Sequence, residues 1–240
     1  MALAHPIKFT IMASAIRLKV PTRMLNVETA RAQMIAQQLR AWEVLDERVL
    51  AALATVHREE FVPDAYRGAA FADAPIPLGS GQIMLPPKME GRVLQALELQ
   101  ADADVLEIGA GSGFLAACLA TLAGRVRSLE IFPDLAALAT RNLRNAGVTR
   151  ASVETTDAMR LDERDRYDAI VVTSSLPIYD ARFERALKPG GRLFIVTGSA
   201  PVMAAMLVVR EEGAQFTRTS LFETSLPALI NAPAPQHFVF

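Results

Sequence analysis

Disulfides, metal-ligand clusters, membrane spans and a charged binding face are all missing from this sequence. One cysteine, Cys118, stands alone in 240 residues, so no internal disulfide can form, and a reducing, cytoplasmic setting is the expectation. Tryptophan occurs once, at Trp42, and histidine three times, at His5, His57 and His237. Histidines this far apart, with one cysteine, make no metal set. Basic and acidic residues number 25 and 26, an even balance that predicts neither a nucleic-acid surface nor a membrane-binding face. No apolar run approaches the roughly 20 residues of a membrane helix. Acidic residues are also missing from positions 1 to 27, where Lys8, Arg17, Lys19 and Arg23 occur. The longest apolar stretch there, Ile11 to Ile16, is too short for a signal-peptide core, and residues 1–23 read as a flexible extension.

What is present suffices for a full core, since 51% of the residues are apolar. Residues 24–99 read as a leading helical subdomain. Apolar spacing predicts a helix from Val27 to Trp42 and a second from Asp46 to Thr55, with Asp46 as N-cap. Trp42 reads as an anchor between these helices and the core. The stretch Arg58-Glu59-Glu60-Phe61-Val62-Pro63 ends the second helix, Pro75 to Pro87 reads as a punctuated loop, and Met89 to Leu99 as a further helix. Residues 100–240 alternate. Strands are predicted at Val105 to Ile108, Val126 to Ile131, Ser152 to Thr155, Tyr167 to Thr173 and Arg192 to Val196, and helices at Phe114 to Leu122, Leu135 to Ala146 and Phe183 to Leu187. Lys188-Pro189-Gly190-Gly191 reads as a helix cap and turn. Met206 to Arg210 and Phe216 to Phe222 complete the set as a hairpin around Glu211-Glu212-Gly213. The pattern implies a parallel sheet with helices on both faces.

The informative segment is Glu107-Ile108-Gly109-Ala110-Gly111-Ser112-Gly113, a strand running into a glycine turn and then a helix. Glycines allow close backbone approach, and a helix start presents free N–H groups. The spacing is G-x-G-x-G, one residue shorter than the dinucleotide-binding G-x-G-x-x-G, and this disfavours a nicotinamide-dependent dehydrogenase. An adenosyl group with an amino-acid tail and a sulfonium charge calls instead for backbone contact and nearby carboxylates, one of which Glu107 supplies. Glu130 ends the second strand, where a carboxylate can accept both ribose hydroxyls, and Asp157 ends the third, where it can accept an adenine amino group.

Val105 to Leu119, Glu130, Asp157, Tyr167 to Thr173 and Lys188-Pro189-Gly190-Gly191 together resemble the motif set of class I S-adenosylmethionine-dependent methyltransferases. The resemblance implies an α/β fold with a doubly wound, mostly parallel seven-stranded Rossmann-like sheet. It implies S-adenosyl-L-methionine as methyl donor, with S-adenosyl-L-homocysteine as product. It assigns donor contacts to Leu85, Glu107, Gly109, Ala110, Gly111, Gly113, Glu130, Ile131, Asp157, Ala158 and Thr173, and leaves Gln82, Leu85 and Ser174 for the acceptor.

A narrower resemblance adds the leading helices, Arg58 to Pro63 and Pro75-Ile76-Pro77-Leu78-Gly79-Ser80-Gly81-Gln82. These are similar to protein-L-isoaspartate O-methyltransferases, which methylate a carboxylate of isoaspartyl residues in damaged protein. Where that family continues Thr-Ile-Ser after the glutamine, this chain has Ile83-Met84-Leu85. Leu85 donates no hydrogen bond, and a carboxylate that lost such a partner would lose about 1.5–3 kcal/mol. Three readings therefore stand: a protein carboxyl methyltransferase, a methyltransferase for a small, more apolar acceptor, and a silent donor-binding module. In the same family the C-terminal stretch folds over the donor, which suggests a lid at Leu226 to Asn231. The apolar end Phe238-Val239-Phe240 is alternatively a subunit contact, and oligomeric state is not legible.

Overall fold

The computed structural model describes residues 27–212 and 215–235. The extension at 1–23, Gly213, His5, His237 and the end Phe238-Val239-Phe240 lie outside the described residues. Within them, a seven-stranded sheet runs in the order β5-β4-β3-β6-β7-β8-β9. Its first five members are parallel: β3 (Asp104–Ile108), β4 (Arg125–Glu130), β5 (Ala151–Thr155), β6 (Tyr167–Leu176) and β7 (Leu187–Ser199). The last two, β8 (Val202–Arg210) and β9 (Phe216–Thr224), pair antiparallel as the expected hairpin. No helix among the described residues is long and apolar enough to cross a membrane.

The chain steps from β3 outward to β4 and β5, then returns to lay β6 on the other side of β3. That reversal opens a crevice beyond the carboxyl end of β3, which is where open α/β sheets bind ligands. The two sheet faces are apolar for the reason parallel strands usually are, namely that both are covered. Val105, Val126, Val171 and Phe194 pack under α3 (Pro87–Leu97) and α4 (Phe114–Leu122). Leu106, Ile170, Val172 and Ile195 pack with Phe183 and Ala158 on the other face. The leading helices α1 (Val27–Met34) and α2 (Glu47–Thr55) share the first of these clusters through Met34, Val49 and Leu53, and Phe61 after α2 joins them. Trp42 serves as the expected anchor, edge-on to Phe222 of β9 at 5.8 Å.

Local chemistry explains most boundaries. Asp46 caps α2 by accepting from the Arg48 amide at 2.8 Å. The helix after Val27 continues to Trp42 but widens to a π turn at Ile35–Leu39 and tightens to a 3₁₀ turn at Arg40–Trp42. Helix α3 starts earlier than apolar spacing suggests, because Pro87 is preorganised for a first helical turn. Helix α5 (Pro133–Asn145) follows the same rule with Pro133.

Three expectations need correction. The Pro-rich stretch before α3 is not a plain loop: it folds into a hairpin of β1 (Ile76–Gly79) and β2 (Gln82–Met84), turned by Gly79, Ser80 and Gly81, all at positive φ. Proline is compatible with this site because the two strands stand apart from the main sheet and each keeps a free edge. The helix expected at Phe183 to Leu187 is a single turn, α6 (Arg182–Arg185). Lys188 to Gly191 then lies within β7 as a bulge, between the pairs Leu187 to Tyr167 and Arg192 to Ala169, so that five steps on one strand match two on the other.

Gly113, which caps α4, has φ +85°, and a Cβ there would sit 3.1 Å from the Ala139 carbonyl oxygen on α5. Gly113→Ala is expected to cost about 1–3 kcal/mol in urea unfolding. Gly68→Ala, with nothing within 4 Å of the new methyl, is expected to stay within about 1 kcal/mol of the parent. Equal stabilities of the two variants would refute this account of the α4–α5 contact.

Candidate functional site

The crevice at the end of β3 is built outward from the glycine turn. The amide of Gly109 donates to the Leu129 carbonyl at 2.8 Å, continuing the β3–β4 ladder by one rung. The Gly113 amide donates to the Ala110 carbonyl at 2.8 Å and closes the turn. Glycine at 109 is obligatory, since φ is +91° and a Cβ would come within 2.3 Å of Thr173 Oγ1. That hydroxyl lies 2.9 Å from the Ile108 carbonyl and 3.0 Å from that of Gly109, so its one hydrogen ties β6 to the turn.

Glu130 holds the other side. Its Oε2 accepts from the Gly111 amide at 3.0 Å and its Oε1 from the Phe132 amide at 3.1 Å. A carboxylate has about four acceptor positions, and these two amides occupy two of them. Asp157 follows β5 and caps a 3₁₀ turn, accepting from the Met159 amide at 2.8 Å through Oδ1. Its Oδ2 accepts from the Asn231 side-chain amide at 3.0 Å.

Two remote segments complete the walls. Gln82 and Ile83 come from the β1–β2 hairpin, and Pro227, Leu229 and Ile230 from the C-terminal segment. The latter is strapped to β6: the Ser175 amide donates to the Pro227 carbonyl at 2.9 Å, and the Leu229 amide to the Ser175 carbonyl at 2.8 Å. Ser175 Oγ adds a bond of 3.1 Å to the Leu226 carbonyl. The lid expected at Leu226 to Asn231 thus lies along the crevice.

Of the residues singled out from sequence, Gln82, Gly109, Gly111, Glu130, Ile131, Asp157, Ala158, Thr173 and Ser174 line this one cleft. Glu107, Ala110, Gly113 and Leu85 stand behind its walls, all buried. The Leu85 side chain is 5% exposed and packs in the core, so the hairpin meets the cleft through Gln82 and Ile83. Sequence reasoning misses Ile108 and Leu129 of the apolar wall, and it also misses the pair Phe132 and Thr156. Both adjoin strand-end carboxylates, and extending the strand-end rule by one or two residues would find them.

Glu107 is fully buried, with Ser128 Oγ donating to its Oε2 and no hydrogen-bond partner for its Oε1 among the described residues. Burial pushes its carboxyl up to about 8; the Ser128 bond opposes this, and the nearby Glu130 and Glu90 add to it. Beside it lies a buried ion pair in which Arg58 donates to Glu90. Burial lowers the Arg58 guanidinium below its ordinary value despite Glu90. It likewise raises the Glu90 carboxyl above its ordinary value despite Arg58. Cys118 lies in this cluster, buried, unpaired and with its thiol pushed well up by burial. These properties fit a core-filling residue and not a nucleophile. Among the described residues lining the cleft there is no histidine, lysine, arginine or cysteine, and among the described residues no cluster of His, Cys, Asp and Glu could hold a metal. His57 sits elsewhere, 3.6 Å from Glu60.

Residues 29–226 match the protein family described as Protein-L-isoaspartate(D-aspartate) O-methyltransferase (PCMT). A protein-L-isoaspartate O-methyltransferase of Koribacter versatilis is 39% identical over 201 residues, which cover 83% of this chain and 90% of the relative. One from Methanoculleus marisnigri is 39% identical over 184 residues, covering 76% and 84%. Among solved structures, a protein-L-isoaspartate O-methyltransferase from Plasmodium falciparum, in complex with S-adenosyl-L-homocysteine, superposes with a TM-score of 0.71. The superposition covers 85% of this chain and 98% of that one. At 17% sequence identity this last likeness is one of fold.

The state of Glu107 sets a pH dependence. The folded chain keeps a proton there that the unfolded chain releases near 4.5. Stability is therefore full below that value and falls as pH rises through about 8. Glu107→Gln is expected to flatten the loss of unfolding free energy between pH 5 and pH 8 by on the order of 2–4 kcal/mol. Denaturant titrations at both pH values measure it, and parallel profiles for parent and variant would refute the assignment.

Proposed function

The chain belongs to the protein-L-isoaspartate O-methyltransferase family, and on that premise we propose that it methylates isoaspartyl carboxylates of damaged protein with the crevice at the end of β3. It is an S-adenosyl-L-methionine-dependent methyltransferase. The donor supplies a methyl group activated by attachment to a sulfonium. The observation that carries the assignment of the site is Glu130, whose carboxylate holds the glycine turn through two backbone amides and keeps acceptor capacity toward the cleft.

The residues present fit such a donor. In this reading Glu130 takes the ribose hydroxyls, and Asp157 with the Ala158 backbone takes the adenine edge. Ile108, Leu129, Ile131 and Phe132 supply apolar wall, a lining that suits a flat heteroaromatic ring. Glu107 stands buried behind the glycine turn with its Oε1 unpartnered among the described residues; in this reading the cationic amino-acid end favours loss of its proton, and the resulting carboxylate meets that end through water.

A carboxylate is already ionised and nucleophilic at neutral pH, so the acceptor needs no general base. The work left to the chain is alignment and exclusion of water. In this reading Gln82 and Ser174, both on the cleft lining, meet the acceptor, and Ile83 with the strap at Pro227, Leu229 and Ile230 excludes solvent. Because Leu85 turns into the core, the hairpin offers the acceptor Ile83 and the Gln82 amide instead. A reducing, cytoplasmic setting belongs to the same proposal and rests on one buried, unpaired thiol.

Calorimetric titration with S-adenosylhomocysteine, followed by methyl transfer to an isoaspartyl peptide and its aspartyl twin, tests the reading. Binding, with turnover of the isoaspartyl peptide only, is expected. Glu130→Ala is expected to weaken binding about ten- to hundredfold, the worth of one charge-assisted hydrogen-bond set. No binding, or equal turnover of both peptides, would overturn the proposal.

A further inference from the structure

Arg58 is almost wholly buried, and its bonds reach three separate parts of the molecule. Nε donates to the Ala70 carbonyl at 2.7 Å, Nη2 to the Leu85 carbonyl at 2.7 Å, and Nη1 to Glu90 on α3. The guanidinium also lies 4.8 Å from the ring centroid of Phe114, the first residue of α4. Glu90 is equally shielded, the two side chains being 1% and 2% exposed. Desolvating both charges consumes most of what their attraction returns, and a pair of this kind is commonly no more stabilising than apolar residues of the same volume. Its distinctive property is directional.

What it aims is the hairpin. Strands β1 and β2 pair only with each other, and a two-stranded ribbon has little stability of its own. Apolar side chains of Ile76, Met84 and Leu85 bury it, but burial is non-directional and tolerates rotation and sliding. The Leu85 carbonyl, gripped by Arg58, lies immediately after β2 and two residues beyond Ile83. Gln82 and Ile83 are the hairpin residues that line the cleft.

We propose that the buried Arg58–Glu90 pair is a positioning device for methyl transfer, fixing the β1–β2 hairpin, and with it Gln82 and Ile83, against the donor crevice through the Leu85 carbonyl. Arg58 and Glu90 are positioning residues and touch neither donor nor acceptor. Arg58 grips the backbone of the hairpin, and Glu90 fixes the plane of the guanidinium fork and balances its charge. Lysine at 58 would keep the charge, but its single nitrogen cannot span three acceptors. The inference rests on the functional reading above for its consequence in turnover, and on geometry alone for its consequence in hairpin order.

The double variant Arg58→Met/Glu90→Leu separates positioning from stability, because it replaces both charges by apolar volume. Expected are an unfolding midpoint close to that of the parent and S-adenosylhomocysteine affinity within about threefold. Amide exchange of Ile83 and Leu85 is expected to rise at least roughly tenfold over that of β6. The kcat for an isoaspartyl peptide should fall at least roughly tenfold, the usual sign of lost alignment. A folded double variant with parent-like exchange at Ile83 and Leu85, or with parent-like kcat, would overturn the proposal. Should the double variant not fold, Arg58→Lys is measured in the same two ways: faster hairpin exchange with lower kcat is expected, and parent-like values of either would overturn the proposal. If the parent itself fails to methylate the peptide, the functional reading falls, and hairpin exchange still decides whether Arg58 and Glu90 hold it.

Discussion

The sheet changes direction of growth at β3, and the site depends on the gap this leaves. With β4 on one side and β6 on the other, no crossover covers the carboxyl end of β3, and only the glycine turn spans it. That turn is held from both flanks, by Glu130 on the β4 side and by the Thr173 hydroxyl on the β6 side. The spacing of the flanking strands, about 4.8 Å each in any sheet, brings Thr173 so near to Gly109 that no side chain fits between them. The glycine is thus a requirement of the sheet before it is one of the ligand.

Floor and roof have different origins. The floor is strand ends, whose positions follow from the registers Ile108 to Leu129 and Ile108 to Val172. The roof comes from two pieces far apart in the chain, the β1–β2 hairpin and the strap at 226–231. Neither belongs to the main sheet, and each is fastened by a few directional bonds. Arg58 holds the hairpin, while Ser175 and Asp157 hold the strap. A cleft with a rigid floor and a fastened roof can admit and release a small molecule without disturbing the core.

The floor is legible in the sequence because strand ends announce themselves. Strands that alternate with helices place Glu130 at the end of one strand and Asp157 just past the end of the next, and the G-x-G-x-G spacing places the turn. The roof is not legible in the same way. Proline and glycine between 75 and 87 read as loop, since turn residues at 79–81 and a short strand on either side leave no periodicity to detect. For the same reason Leu85 falls to the site by its place in a motif, whereas the hairpin turns that side chain inward. Lys188 to Gly191 has the composition of a turn and reads as one; pairing with β6 makes it a bulge. Arg58 is marked in the sequence only as the first residue of a family-like run, which gives no sign of its burial. Arginine is rarely buried, and nothing in the run Arg58 to Pro63 distinguishes a solvated guanidinium from one that gathers three elements.

Trp42 against Phe222 joins the end of the leading helical segment to the outermost strand, and Arg92 of α3 adds its guanidinium over the same Phe222 ring at 5.4 Å. Edge strands ordinarily peel first. Here β9 is riveted to the opposite end of the chain, so peeling it also lifts the segment whose next helix leads to Arg58. In mechanical terms the molecule is a closed strap and not a stack with a loose outer leaf: slack introduced at the far edge of the sheet arrives at the roof of the cleft.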